Sequence, residues 1–218
     1  MEEEKIGVRI SRVYICIAVL LVTILSGCAQ KGPVLLDNIK YQPPEGLAAG
    51  TPKLVVGVSP FRDDRGKTFS VLGKRTIPDY VENDLVVQGT VADLVTAALK
   101  DALKARGIIV KDVPAWDMNA ESIRTTGIDI LIGGEIKTLW VEAVSQTLNF
   151  KVSAVVQLRV SAADVAEKKI IRTLVLNSKL ERQDVAFSFE SVKSAVSEAL
   201  SSALDQLLND EEFKKRIR

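Results

Sequence analysis

The chain has 218 residues, 29 Lys+Arg against 28 Asp+Glu, no histidine and two cysteines. A formal net charge of +1 offers no global field to gather nucleic acid or steer an acidic substrate. The lack of histidine removes Ser-His-Asp and Cys-His catalysis and His-ligated zinc, while 47% apolar and 26% charged residues describe a folded protein.

Residues 13–25, VYICIAVLLVTIL, are apolar except at Thr23. The run is shorter than the roughly 20 residues that span a bilayer. It suits the apolar centre of a secretory signal, with Lys5, Arg9 and Arg12 ahead of it, although the acidic start Glu2–Glu4 is atypical. An uncleaved helical anchor is the alternative reading. Leu25-Ser26-Gly27-Cys28 resembles the lipobox of bacterial lipoproteins. Small side chains there admit a peptidase at the membrane surface, and the thiol lies at the depth where diacylglycerol is added. The resemblance implies a signal peptide over 1–27, cleavage between Gly27 and Cys28, and a lipid on Cys28. Cys16 then leaves with the signal, and the mature chain keeps neither a free thiol nor a disulfide. Ala29, where inner-membrane retention signals carry Asp, implies the outer membrane rather than the inner.

Residues 28–52 carry Pro33, Pro43, Pro44 and Pro52 with glycines at 32, 46 and 50, and read as a tether. Val34-Leu35-Leu36 packing as a short strand is the alternative. Residues 53–218 are long enough for one well-cored domain. Lys53–Ser59 reads as a strand buried on both faces and stopped by Pro60. Thr90 caps a helix from Val91 to Arg106, which Gly107 ends. Its apolar positions Val91, Leu94, Val95, Ala98, Leu99, Ala102 and Leu103 form the stripe of a helix lying on a sheet. Ile108–Asp112 follows as a strand, and the strand–helix–strand order predicts a parallel pair. A helical turn is expected over Asn119–Thr126. Strands are then expected over Ile128–Val141 with a bulge at Gly133-Gly134, over Phe150–Ser161 with one wet face around Lys151, Gln157 and Arg159, and over Ile170–Leu180. The three make an antiparallel meander. Residues 188–209 close the chain as a long amphipathic helix, followed by the basic end Lys214–Arg218. The expected fold is α+β, a two-layer sandwich of a mixed sheet of about five strands with two long helices on one face.

Between the first strand and the first helix, residues 60–89 read as a long loop, and loops of that length are usually functional or disordered. Phe61, Asp63, Arg65, Phe69, Val71 and Tyr80 are its candidate partner-binding residues. The plainer reading is turn chemistry, with Asp63 or Asp64 paired to Arg65. Acid/base catalysis needs two carboxylates of separated pKa. Asp63, Asp64, Asp79, Glu82 and Asp84 offer carboxylates without a spacing that specifies a site. The phosphate-binding patterns GxxxxGK[ST] and GxGxxG are absent, Lys137 and Trp140 read as ordinary strand residues, and no metal or cofactor is expected.

The lipobox, the proline-rich tether, a strand running into Phe61-x-Asp63-x-Arg65, a helix ending Ala105-Arg106-Gly107, and the meander with its closing helix together resemble the YajG-type family of small outer-membrane lipoproteins. That resemblance implies a fold similar to periplasmic modules such as the lipoprotein activators of peptidoglycan synthases and the N-terminal domain of TolB. It supplies no catalytic residues. The expected function is a lipid-anchored, non-enzymatic adaptor facing the periplasm, held to the membrane by its N-terminal lipid. Its partner would be an envelope protein or peptidoglycan, not nucleic acid. The alternatives are a hydrolase or glycan-modifying enzyme using loop carboxylates, and an accessory subunit of lipid or lipopolysaccharide transport.

Overall fold

A computed structural model of the chain describes residues 32–47, 54–77, 81–146 and 148–217. The signal segment 1–27, Cys28 and Tyr80 lie outside the described residues. The architecture is α+β. Nine strands form one mixed sheet, and three helices accompany it among the described residues. The strands are β1 (Val34–Leu35), β2 (Val55–Val58), β3 (Arg62–Asp63), β4 (Val71–Ile77), β5 (Val81–Val86), β6 (Ile109–Asp112), β7 (Ile130–Ser145), β8 (Phe150–Asp164) and β9 (Lys169–Asp184). The helices are α1 (Val91–Ala105), α2 (Phe189–Asn209) and α3 (Glu211–Ile217).

The organising element is β7, 16 residues long. On one side β8 and then β9 run antiparallel to it, the expected meander. Its other edge is covered by three short strands in succession, all parallel: β2 beside Ile130–Ile132, β3 beside Glu135 and Ile136, and β4 beside Val141–Val144. Outside β2 lies β6, parallel to it through the α1 crossover as predicted. Outside β4 lie β5 and then β1.

This corrects two expectations together. The sheet has nine strands rather than about five, and residues 60–89 are largely strand rather than loop. The cause is the length of β7. With only four residues, β2 leaves most of that edge's N–H and C=O groups unmet, and buried groups of this kind need partners. Asp64 N donates to Ile136 O at 3.1 Å and Ser59 N to Ile132 O at 2.8 Å, which carries the pairing along the strand.

The expected tether also differs where it is described. Residues 32–47 lie against the domain as a strap. Leu36, Ile39 and Tyr41 are buried, and β1 pairs with β5. Two serines on α2 accept the strap's backbone N–H groups: Ser201 Oγ from Gln42 at 2.8 Å and Ser197 Oγ from Lys40 at 3.4 Å. Tyr41 Oη donates to Asp205 Oδ1 at 2.7 Å and accepts from Arg106 at 2.9 Å, which joins the strap to both long helices. Burial raises the Tyr41 hydroxyl above its ordinary pKa, and the Asp205 carboxylate adds to that.

The long helices form where the pattern places them. Thr90 and Asp93 make a reciprocal capping box on α1. Gly107, at φ 77°, ends it in a Schellman turn, with Gly107 N donating to Lys104 O and Ile108 N to Leu103 O. Ser188 caps α2. Both helices bury their apolar stripes in one core with the inward residues of β8, from Phe150 to Ala162. On the opposite face, residues 113–128 cover one end through a smaller cluster of Ile123, Ile128, Leu131 and Ala163. Further along that face Trp140 is half-buried and Lys137 and Glu142 are exposed.

Candidate functional site

The outer face of β7 takes its character from a bulge. The β7–β8 register shifts between Ile136 and Thr138, leaving Lys137 unpaired. The bulge is therefore at Lys137, not at Gly133-Gly134. Those glycines answer a different demand, close approach of aromatic rings. A Cβ on Gly133 would sit 2.9 Å from Trp116 Cε3, and one on Gly134 would sit 2.8 Å from Phe61 Cζ. Because the bulge resets the alternation, Glu135, Lys137, Thr138, Trp140 and Glu142 all project from the same face.

Two charged layers follow. In the buried layer, Arg65 meets Asp63 in a two-pronged pair, Nε to Oδ1 and Nη2 to Oδ2, both at 2.8 Å. Its remaining Nη1 donates to Val71 O at 2.8 Å and Leu139 O at 3.1 Å, tying β3, β4 and β7 together. Burial works to raise the Asp63 pKa, but the Arg65 guanidinium and backbone N–H outweigh it and the carboxyl lies below its ordinary value. In the outer layer, Arg62 bonds Asp64 at 3.0 Å and also the almost fully buried Glu135. Lys137 Nζ lies 2.8 Å from Asp64 and 2.7 Å from Glu135 Oε2, an oxygen that no donor meets with hydrogen-bond geometry. Arg159 stands 3.8 Å from the same oxygen. Hydrogen bonds from Arg62, then from Lys137, lower the Asp64 pKa to about 2.

Beside this network runs an open groove of about 500 Å³, lined by Arg65, Lys67, Lys74, Lys137, Trp140 and Glu142 among others. Trp140 is half-buried and donates its indole N–H to Glu142 at 3.3 Å. Lys67 Nζ stands 5.2 Å from the centre of its ring, a cation–π contact, and Lys74 pairs with Glu82 at 2.5 Å. The groove thus presents one aromatic side chain among Lys67, Lys74 and Lys137 and the carboxylates of Glu82 and Glu142. Among the described residues no three Asp, Glu, Cys or His side chains converge as a metal site.

The sequence-predicted site residues are dispersed by the fold. Phe61 is buried against Gly134, while Asp63 and Arg65 form the buried staple; none of the three is displayed to a partner. Phe69 is exposed, Val71 is half-buried in β4, and Tyr80 is outside the described residues. The wet face expected around Lys151, Gln157 and Arg159 is exposed but internally paired. Lys151 pairs with Glu181 at 3.6 Å and Gln157 with Asn177 at 2.9 Å. The residues that reading the sequence missed are Lys67, Lys137 and Trp140. A signal for the latter two was present: Ile132 and Ile136 keep one apolar phase, Leu139 and Val141 the other, and the break falls at Lys137-Thr138.

No protein-family model and no curated protein matches the chain. Among solved structures it is similar to protein XCC0632 of Xanthomonas campestris, of family DUF330, at 11% identity and TM-score 0.49, over 81% of this chain and 91% of that one. It is similar also to the hypothetical protein CT253 of Chlamydia trachomatis, at 12% identity and TM-score 0.45, over 73% of this chain and 96% of that one. A third similarity is to lipoprotein GNA1162 of Neisseria meningitidis, at 12% identity and TM-score 0.38, over 72% of this chain and all of that one, 100%.

Proposed function

We propose that the chain is a lipid-anchored, non-enzymatic lipoprotein of the bacterial envelope, of the YajG-like kind, and that its outer sheet face binds peptidoglycan. The Leu25–Cys28 lipobox supports an anchor on Cys28, and Ala29 supports the outer membrane as its address. The observation that carries the binding role is Trp140, half-exposed on a rigid strand and ringed by Lys67, Lys74 and Lys137. An indole face stacks on the C–H face of a sugar ring, and flexible ammonium groups meet the carboxylates of the attached peptide stems. The state of the nearby acids supports binding over hydrolysis. Asp63 is locked to Arg65 and Asp64 is held at about 2, so both are ionised at neutral pH, and neither has a proton to give a leaving group.

The test is co-sedimentation of the full acylated protein, in detergent, with purified sacculi. Trp140→Ala and the fully surface change Lys67→Glu should each lower the bound fraction about fivefold at unchanged thermal midpoint. Retention equal to the wild type in both variants would remove the groove as the binding site.

A further inference from the structure

The charges that line the Trp140 groove are not equally available. Lys137 is held between Asp64 and Glu135, Lys74 faces Glu82, and Arg65 is committed to Asp63. Two charges are left, of opposite sign. Among the described residues neither Lys67 nor Glu142 has an ion-pair partner, and both contact the same indole. Lys67 Nζ stands over the face of the ring, and Glu142 Oε1 accepts from the N–H at its edge. Glu142 Oε2 receives no hydrogen bond among the described residues. Lys74 is the register partner of Glu142 across β4 and β7, but its ammonium turns to Glu82 on β5. Both Lys67 and Glu142 are exposed.

We propose that the groove reads an amino-acid head, an ammonium and a carboxylate on one carbon, at the open end of a peptide stem. The inference rests on the peptidoglycan reading above and narrows it to stems that are not cross-linked. A diaminopimelate side chain ends in such a head. Its ammonium meets Glu142 Oε2 at the edge of the indole. Its carboxylate draws Lys67 off the ring, an exchange that a cation–π contact at an exposed site permits. Charge complementarity favours this occupant over simpler ones. A polyanion would match Lys67 and set a like charge against Glu142, whereas a plain cation would match Glu142 and oppose Lys67. Cross-linking acylates the diaminopimelate amine. The ammonium then becomes a neutral amide, and Glu142 is left facing a group that cannot balance its charge. The groove thereby distinguishes open stems from joined ones.

The test is isothermal titration calorimetry of the full chain in detergent with two muropeptides. One is the disaccharide-tetrapeptide released by muramidase, whose free amine is that of diaminopimelate; the other is the same compound N-acetylated there. The wild type is expected to bind the free form about tenfold more tightly than the acetylated one. Glu142→Gln, which keeps an acceptor for the indole N–H, should bring the free form down to the level of the acetylated one at an unchanged thermal midpoint. Lys67→Gln should weaken both forms alike, since both keep the carboxylate. Equal binding of the two forms by the wild type, lost in Trp140→Ala, overturns the selection and leaves the peptidoglycan reading standing. Discrimination that survives in Glu142→Gln overturns the assignment of the ammonium to this groove. Binding of neither form, with purified sacculi not retained either, overturns both readings. Retained sacculi with neither muropeptide bound overturn this inference alone.

Discussion

At the scale of single residues, Phe61-x-Asp63-x-Arg65 is structural. Phe61 uses the space left by the absent side chain of Gly134, and Gly134→Ala forces the ring off a contact of 2.8 Å. The expected cost is about 2 kcal/mol, read from urea unfolding midpoints. A midpoint equal to the wild type would mean the ring is not seated there. The Asp63–Arg65 pair makes a sharper demand. Removing the guanidinium leaves a buried carboxylate and two carbonyls unmet, so Arg65→Ala should cost about 3–5 kcal/mol. The pH dependence has a definite sign. The folded pKa of Asp63 lies below its unfolded value of 3.8, so the stability it confers is complete above about pH 4 and is lost as pH falls through the lower folded value. Unfolding midpoints should hold steady from pH 7 to about 4 and then drop, and Asp63→Asn should flatten that drop. A wild-type curve with no acid limb would show that the pair contributes nothing.

At the scale of elements, the strap is the main departure from a simple sheet-and-helix layout. It is held by two α2 serines, by Tyr41 and by short pairing of β1 with β5. Tyr41→Ala should lower stability by about 3 kcal/mol and raise amide exchange over residues 34–42 while β7 and β8 stay protected. Uniform loss of protection across the sheet would mean that the strap is not a separate unit. How much of this could be read from sequence varied with the range of the forces involved. The cap at Thr90, the helix stop at Gly107 and the alternation of β8 from Phe150 to Ser161 are local and were legible. The strands inside residues 60–89 were not, because β3 and β4 exist to satisfy the edge of β7, a strand more than fifty residues further on. The strap was legible only as the alternative short strand at Val34-Leu35-Leu36, which forms β1, and the rest of it was not, for the same reason. Its prolines speak for a linker, while Leu36, Ile39 and Tyr41 find partners only once α2 is in place. Of the candidate site, the displayed loop was misplaced, and the Trp140 groove was hidden behind a bulge expected three residues too early.

At the scale of the whole molecule, the two faces of the sheet divide the work. The helix-covered face holds the core, with Phe213 of α3 closing it beside an Arg172–Asp210 pair at 3.0 Å. The long free edge of β9 is guarded. Gln206 of α2 donates to Asn177 O at 2.6 Å and accepts from Asn177 N at 3.2 Å, meeting backbone groups that would otherwise recruit another strand. The outer face stays open over Trp140. The measurement that tests this account most directly is photo-cross-linking in intact envelopes, with a benzophenone side chain at Thr138, which lines the groove with Trp140. The account predicts an adduct that muramidase digestion reduces to a defined glycopeptide mass, lost in Trp140→Ala. An adduct insensitive to muramidase, or glycan adducts equal to those from a benzophenone at Lys168, would contradict it.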